Sequence, residues 1–246
     1  MNQKGIILAG GNGSRLDPLT RSVSKQLLPV YNKPLIYYPL ATLQQSGIDD
    51  ILIITNCDNN ISNIQKAIGK TKSNIQYATQ PNPNGIAEAF IIGEDFIGDD
   101  NVTLILGDNI FHGSFPLSHH SNKIYGIESN TPELYGCIQF DSNYSITSIV
   151  EKPHPEAIPS SYVVPGIYSF DNSVVEKTKS LTPSRRGELE ITDLINLYIK
   201  EKSLRCDILP ANMVWFDCGN PDHLLEAGNF VKAVEARSMI KIGDIV

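Results

Sequence analysis

The sequence predicts an α/β fold in which a mixed, mostly parallel sheet is flanked by helices. Along the chain, short β-rich runs alternate with stretches of helical periodicity. Residues 5–9 form an unbroken apolar run that ends in glycines, which is typical of a central strand buried on both faces. Hydrophobic residues make up 41% and charged residues 19% of the 246 residues, the proportions of a globular protein.

The first half of the chain predicts four strands that alternate with three helices. Gly47 closes the first helical stretch, two residues after Gln45, and Gly69 directly follows the second, as expected where a helix ends at a residue of positive φ. The predicted strands cover residues 5–9, 51–55, 75–78 and 102–106, and the predicted helices cover residues 35–45, 61–68 and 86–96.

The pattern becomes less regular after residue 110. Residues 111–123 contain proline, glycine, serine and three histidines, which predicts an irregular connection. Pro221 suits the first turn of the last helix. No repeat or linker is visible, so a single domain over residues 1–246 is expected. The remaining predicted strands cover residues 136–140, 146–150, 163–169, 204–209 and 213–217, and the remaining helices cover residues 189–202 and 222–239.

Composition and charge exclude several classes of protein. The net charge of −7 argues against a general nucleic-acid binder, which needs a basic face to displace counterions. No segment approaches the roughly 20 apolar residues that span a bilayer. The four cysteines form no C-x-x-C pair, so neither a zinc site nor a disulfide framework is indicated. We therefore expect a soluble cytoplasmic protein with reduced thiols and with no nucleic-acid or membrane partner.

The most informative segment is the glycine-rich loop that follows the first strand. Glycines at residues 10, 11 and 13 allow backbone N–H groups to point at an anion without interference from Cβ atoms. The dinucleotide pattern G-x-G-x-x-G fails because Leu16 stands where the third glycine is required. The loop instead carries Arg15, and Lys25 follows ten residues later. These two cations could balance a triphosphate at one mouth.

Several motifs resemble those of the sugar-1-phosphate nucleotidylyltransferases. The resemblance begins with Gly10-Gly11-x-Gly13-x-Arg15-Leu16 and Lys25-Gln26-Leu27-Leu28-Pro29. Further motifs occur in the family's order over most of the chain, and they include Tyr37-Tyr38-Pro39-Leu40, Gln80-Pro81-x-Pro83-x-Gly85-Ile86-Ala87, Leu106-Gly107-Asp108-Asn109-Ile110-Phe111, Glu151-Lys152-Pro153, Arg186-Gly187-Glu188-Leu189-Glu190-Ile191-Thr192-Asp193 and Trp215-Phe216-Asp217-x-Gly219. The resemblance implies the Rossmann-like fold of nucleotide-diphospho-sugar transferases.

The resemblance also implies a reaction. The nucleotidyl group of dTTP would pass to glucose-1-phosphate, giving dTDP-glucose and pyrophosphate for deoxysugar and polysaccharide biosynthesis. Because the attacking phosphate oxygen is already anionic near neutral pH, positioning and charge stabilisation would supply most of the catalysis. The alternatives are a uridylyltransferase, an enzyme that uses a modified sugar-1-phosphate, or, in a different class, a non-catalytic nucleotide-sugar-binding regulatory subunit.

The resemblance implies a role for individual residues. The amide of Gln80 both donates and accepts, as the edge of thymine or uracil requires. The catalytic residues would be Arg15, Lys25 and Asp108, and the ligands of the cofactor Mg²⁺ would be Asp108 and Asp217. The nucleotide-binding residues would be Leu8, Gly10, Gly11, Gly13, Gln80 and Gly85. The sugar-phosphate-binding residues would be Asn109, Gly136, Glu151, Lys152, Gly166 and Arg186.

The chain departs from the family's pattern at a few positions. Asp17 stands where the family usually has an uncharged residue, and we expect its carboxylate to face away from the loop. Pro165 replaces a small hydroxyl residue before Gly166. The chain resembles a short form of the family. Longer members have further C-terminal helices, and the resemblance does not imply the effector control that those helices carry. The resemblance also implies a homo-oligomer, either a tetramer or a dimer.

Overall fold

A computed structural model describes residues 2–113 and 122–245. The chain folds into two compact units. Among the described residues, one unit comprises 3–83, 104–113 and 212–245 and is called the glycine-loop unit; the other comprises residue 2, 84–103 and 122–211 and is called the hairpin unit. Neither unit is continuous in sequence, so no linker marks the division. The single domain over residues 1–246 stays a prediction.

The structure contains seven α-helices and fourteen strands within the described residues, and the α/β class is confirmed. None of these helices is long and apolar enough to cross a membrane. The helices are α1 (Tyr37–Gln45), α2 (Asp58–Ile68), α3 (Glu88–Ile92), α4 (Glu94–Ile97), α5 (Val174–Lys179), α6 (Ile191–Lys200) and α7 (Pro221–Arg237). The strands are β1 (Gln3–Ala9), β2 (Pro29–Val30), β3 (Lys33–Pro34), β4 (Asp50–Thr55), β5 (Asn74–Thr79), β6 (Asn101–Leu106), β7 (Asn109–His112), β8 (Lys123–Glu128), β9 (Gly136–Phe140), β10 (Ile146–Glu151), β11 (Tyr162–Val163), β12 (Ile167–Phe170), β13 (Arg205–Ile208) and β14 (Val214–Asp217).

The glycine-loop unit is built on parallel strands. β1 pairs with β4 in parallel, with Ile7 opposite Ile53, and β4 pairs in parallel with β5. Ile6 and Ile7 are fully buried, as the unbroken apolar run predicts. Because parallel strands end at the same edge, the glycine loop after β1 lies at the edge where open α/β sheets bind ligands.

A separate two-stranded ladder completes the glycine-loop unit. β7 and β14 pair antiparallel, with Asn109 opposite Asp217 and Phe111 opposite Trp215. Helix α7 follows β14 and begins where the Asn220 side chain accepts a hydrogen bond from the His223 N–H. Apolar residues of β7 and α7 share one buried cluster. The ladder is therefore fixed in place by its own hydrophobic face.

The hairpin unit is mainly antiparallel. β9 and β10 form a hairpin with Gly136 opposite Glu151. β8 pairs antiparallel with β11 and β12, and it pairs in parallel with β13. The parallel part of the predicted sheet is therefore concentrated in the other unit. The reason is local: a short turn connects β9 to β10, whereas parallel neighbours need a crossover connection.

Three predicted elements differ in the structure. The helix predicted over 86–96 is two short helices, α3 and α4, interrupted at Gly93. The strand predicted over 163–169 is divided into β11 and β12 because Pro165 has no N–H for the ladder. The irregular connection predicted over 111–123 includes the end of β7 and the first residue of β8, and residues 114–121 lie outside the described residues.

Gly85 fills a position in the hairpin unit that only glycine can occupy. Its φ is +106°, and a Cβ there would lie 2.3 Å from the carbonyl oxygen of Leu189. The Leu189 N–H donates to the Asn84 carbonyl at 2.6 Å, which holds the two backbone segments together. Gly85 therefore has a structural role beside the nucleotide contact that the sequence predicts for it.

We expect Gly85→Ala to lower the free energy of unfolding by about 3 kcal/mol, because it adds a backbone clash to an unfavourable φ. Urea unfolding followed by circular dichroism measures the loss. Gly47→Ala is the matched control: its φ is +74°, but no atom lies within 4 Å of the new Cβ. The control should cost about 1 kcal/mol. Equal losses in the two variants would contradict the close contact with Leu189.

Candidate active site

The glycine loop is held in a conformation that requires glycine. Gly13 has a φ of +63°, and a Cβ there would lie 2.8 Å from Cγ2 of Thr20. The Thr20 hydroxyl donates to the Gly13 carbonyl at 2.8 Å. Leu16 is fully buried and anchors the single 3₁₀ turn over Ser14–Leu16, which leaves Arg15 exposed. The loop thus presents one guanidinium beside open backbone.

Lys25 and Asp108 form a nearly buried ion pair. The Lys25 side chain is only 7% exposed, and its Nζ contacts Oδ2 of Asp108. The Asn109 amide donates to the other carboxylate oxygen at 2.9 Å. Burial alone would raise the pKa of Asp108, but the Lys25 ammonium and the hydrogen bonds outweigh it and hold the pKa below its usual value. Asp108 is therefore ionised at neutral pH.

The β7–β14 ladder brings Asp217 beside Asp108. Asp217 stands opposite Asn109 in the register, and the next residue, Cys218, donates its N–H to the Asp108 carbonyl at 2.9 Å. The Trp215 indole N–H donates to the Asn109 side chain at 2.6 Å, which links the two strands a second time. Burial, and then the charge of Asp108, raise the pKa of Asp217. This carboxyl pair attracts a cation.

The charge of Arg15 acts on the other aspartate, where it opposes the rise in the pKa of Asp217. A Cβ on Gly219 would lie 2.5 Å from Nη2 of Arg15 and 3.0 Å from Oδ1 of Asp217. Glycine at this position therefore leaves the space that the guanidinium occupies. Lys25 is paired with Asp108, and Lys25 and Arg15 both contribute positive charge that acts on Asp217.

The donor set fits a metal ion that binds together with a phosphate ligand. In residues 2–113 and 122–245, no group of three or more His, Cys, Asp and Glu side chains is placed to hold a metal by itself. Asp108 and Asp217 supply two carboxylates. Mg²⁺ is commonly bound by one or two carboxylates, with phosphate oxygens and water completing its coordination. The pair is suited to that use.

The predicted nucleotide-binding residues of the glycine-loop unit surround the end of β1. Gln80 is 5% exposed, and its side-chain oxygen lies 3.0 Å from where a Cβ on Gly10 would stand. Glycine at position 10 thus allows the glutamine to approach the loop. The Leu8 carbonyl accepts from the Gly107 N–H at 2.9 Å. A Cβ on Gly11 would meet nothing within 4 Å, so this part of the loop is open.

The remaining predicted residues lie in the hairpin unit. Gly136 and Glu151 are directly opposite in the β9–β10 ladder, and a Cβ on Gly136 would lie 3.7 Å from the Glu151 carboxylate. Lys152 follows with an unusual φ of +41°, and its N–H donates to the Tyr135 carbonyl. Gly166 lies in the connection between β11 and β12. The hairpin therefore brings Gly136, Glu151 and Lys152 together.

Arg186 is engaged by carboxylates. Its Nε and Nη2 donate to the two oxygens of Glu190 at 3.1 and 2.8 Å. Its Nη2 also lies 3.3 Å from Glu151 and 3.4 Å from Glu188. The hydrogen bonds to Glu190 raise the pKa of Arg186 above its usual value. Sequence reasoning missed Glu190, although its acidic motif was visible, because the turn at Gly187 brings the two side chains together.

Asp17 pairs with a cation on its own segment. The Arg21 Nε donates to Asp17 Oδ1 at 2.6 Å, and both side chains are exposed. The carboxylate is thus engaged away from Lys25 and Arg15, as expected from the sequence.

Comparisons with known proteins agree with the motifs. Residues 4–234 match the model of the nucleotidyl transferase family. The chain is 49% identical over 243 residues to the glucose-1-phosphate thymidylyltransferase of Neisseria gonorrhoeae, an alignment that covers 94% of this chain and 83% of that protein. It is 44% identical to the enzyme of the same name from Mycolicibacterium smegmatis, over 98% of this chain and 86% of that one.

Solved structures of similar proteins share the fold of this chain. A Bacillus anthracis structure described as a candidate glucose-1-phosphate thymidylyltransferase, solved with sucrose, superimposes with a TM-score of 0.85 at 36% identity; it covers 95% of this chain and 96% of its own. A UDP-glucose pyrophosphorylase bound to UDP-glucose superimposes with a TM-score of 0.79 at 26% identity, over 94% of this chain and 98% of its own.

We expect Lys25→Met to lower the free energy of unfolding by about 3 kcal/mol at pH 7, because it leaves the Asp108 carboxylate buried without its cation. The double variant Lys25→Met, Asp108→Asn should recover most of that loss, since a neutral amide needs no ionic partner. Urea unfolding measures both variants, and Lys232→Met, at an exposed position, is the control. A double variant as unstable as the single one would contradict the role of the charge and indicate lost packing.

Proposed function

We propose that this chain, which belongs to the nucleotidyl transferase family, transfers the thymidylyl group of dTTP to glucose-1-phosphate and produces dTDP-glucose and pyrophosphate. The 49% identity to a glucose-1-phosphate thymidylyltransferase over nearly the whole chain supports the substrates. The observation that carries the proposal is the β7–β14 register, which places Asp217 beside Asp108. Lys25 and Arg15 then add the charge that a triphosphate requires.

The reaction is an in-line displacement at phosphorus. An oxygen of the sugar-1-phosphate attacks the α-phosphorus of dTTP, and the bond from that phosphorus to the oxygen bridging to the β-phosphate breaks. Pyrophosphate leaves with the electron pair of that bond. The attacking oxygen is already ionised, so no side chain has to remove a proton. The barrier comes mainly from the repulsion between two polyanions that must be brought together. The positive charges of Arg15 and Lys25 would offset this repulsion.

We assign Asp108 and Asp217 as the residues that hold Mg²⁺. When bound, the ion would supply positive charge to the phosphate oxygens. The chain's own contribution is the ladder that keeps both carboxylates on one side. Asn109 fixes the orientation of Asp108 by donating to it, and Trp215 in turn fixes Asn109.

The other residues are assigned to the two ends of the substrates. The Gln80 side chain contacts the pyrimidine base, the Glu151 carboxylate accepts hydrogen bonds from hydroxyls of the sugar, and Lys152 contacts the phosphate of the sugar-1-phosphate. Further proposed contacts to the nucleotide come from Leu8, Gly10, Gly11, Gly13 and Gly85, and further contacts to the sugar phosphate come from Asn109, Gly136, Gly166 and Arg186. Arg186 would exchange a carboxylate partner for the substrate phosphate.

UTP is the second candidate nucleotide. The solved relative that contains UDP-glucose has the same fold at 26% identity, and uracil presents the same hydrogen-bonding edge to Gln80 as thymine does. A homo-oligomer, a cytoplasmic location and a place in deoxysugar or polysaccharide biosynthesis are further parts of the proposal.

A panel of triphosphates and sugar-1-phosphates tests the substrates. We expect pyrophosphate release in Mg²⁺ to be fastest with dTTP and glucose-1-phosphate, with UTP slower, because the chain is 49% identical to a glucose-1-phosphate thymidylyltransferase over 243 residues. Release is measured by a coupled assay, and each triphosphate without sugar phosphate is the control. Release with no pair would overturn the catalytic proposal and favour a binding protein on this fold.

We expect Asp217→Asn to reduce turnover by roughly a hundredfold or more, since it removes one of two proposed Mg²⁺ ligands. Asp222→Asn, at an exposed position in the first turn of α7, is the matched control and should retain activity. Turnover is measured over a range of Mg²⁺ concentrations, and circular dichroism checks the fold. Unchanged turnover in the Asp217 variant would contradict the metal assignment.

A further inference from the structure

The glycine-loop unit contains a polar cavity. Of the residues that line it, only Gly11 and Lys25 have a role assigned above. The cavity has a volume of about 540 Å³ and lies between the glycine loop, residues 20–25 and one side of α2. Amide, hydroxyl and cationic side chains dominate its lining. Among the described residues that line it, none is a carboxylate. The cavity is therefore built for an anion.

Helix α2 contributes one complete face to this cavity. Asn59, Ser62, Asn63 and Lys66 all line it, and their spacing of three, four and seven residues places them on one side of a helix. The opposite side carries the buried residue Ile64. An exposed helix face usually mixes acids with bases, whereas this face carries neutral amides and a hydroxyl, which can donate hydrogen bonds, and one cation.

Lys66 is the uncommitted cation of the cavity. Lys25 is engaged by Asp108, and Arg21 is engaged by Asp17. Lys66 has no carboxylate within ion-pair distance in the part of the chain that the structure describes. An ammonium on a flexible stem can approach a phosphate as a point charge.

Hydrogen bonds connect α2 to the glycine loop. The Asn60 amide donates to Asn56 at 2.6 Å, and the Asn56 amide donates to Asn12 at 3.3 Å. Asn12 and the open Gly11 both line the cavity. A phosphate chain lying along the loop would therefore continue into the cavity toward α2.

We propose that this cavity binds the pyrophosphate portion of the triphosphate, with the Lys66 ammonium and the Asn59 and Asn63 amides contacting its terminal phosphate oxygens. The inference rests on the proposed function, because pyrophosphate is the leaving group of that reaction and the attacking substrate of its reverse. In the reverse direction, a pyrophosphate oxygen attacks the phosphorus attached to thymidine, and the bond to the sugar phosphate breaks. The face of α2 then sets the affinity for pyrophosphate.

Lys66→Met tests the proposal in the reverse reaction, with dTDP-glucose and pyrophosphate as substrates. We expect the KM for pyrophosphate to rise roughly tenfold, as for one charge-assisted contact, while the KM for dTDP-glucose stays within about twofold. Lys70→Met removes the same charge from an exposed residue just beyond α2 that does not line the cavity. It should leave both constants unchanged. Equal effects of the two variants on pyrophosphate would overturn the proposal.

Direct binding separates this inference from the proposed function. Calorimetric titration of inorganic pyrophosphate into the wild-type protein should give binding that Lys66→Met and the double variant Asn59→Ala, Asn63→Ala both weaken, with orthophosphate as the weaker control ligand. Such binding without turnover on any substrate pair would support the cavity and contradict the enzyme proposal. Turnover in the wild type together with unchanged pyrophosphate binding in both variants would support the enzyme and contradict the cavity.

Discussion

The site depends on one constraint, which is that two carboxylates, Asp108 and Asp217, are forced together in a largely buried position. The antiparallel register of β7 and β14 imposes the approach, and the apolar packing of α7 keeps the ladder in place. Burial and mutual repulsion both oppose this arrangement, as the raised pKa of Asp217 indicates. Two cations offset this cost, because Lys25 pairs with Asp108 and the charge of Arg15 acts on Asp217. Charge balance, more than hydrophobic packing, therefore decides which side chains the site can contain.

Several glycines of the site follow from that balance. Gly219 is required because the Arg15 guanidinium occupies the space of a Cβ, and Gly13 leaves room for Thr20 and the stem of Lys25. Gly10 likewise admits Gln80. The glycines contribute no side-chain charge themselves. Each leaves room for a neighbouring side chain. The glycines of the loop therefore allow side chains to approach closely, in addition to exposing backbone N–H donors.

Sequence patterns predicted the elements whose residues are buried on a regular period. The apolar run of β1 and the glycine after α2 both correspond to the structure within a few residues. Local sequence patterns do not predict which strands pair when they are far apart in the chain. Nothing local indicates that β7 forms a ladder with a strand about one hundred residues later, and β7 itself partly falls where an irregular connection is predicted. The meeting of Asp108 with Asp217 was accessible only through resemblance, and the pairing of Arg186 with Glu190 was missed.

The chain has a net charge of −7, and many of its cations lie near carboxylates. Whether a cation can bind a phosphate therefore depends on its neighbours and not only on its place in a family motif. At physiological ionic strength, exposed charges act over about 8 Å, so an anion senses nearby carboxylates rather than the whole surface. Arg186 belongs to a family motif, yet three carboxylates surround it. Lys66 belongs to no motif, and the cavity it lines holds no acid among its described residues. By this criterion Lys66 is the cation more readily available to a phosphate, although α2 contains none of the motifs that carry the resemblance.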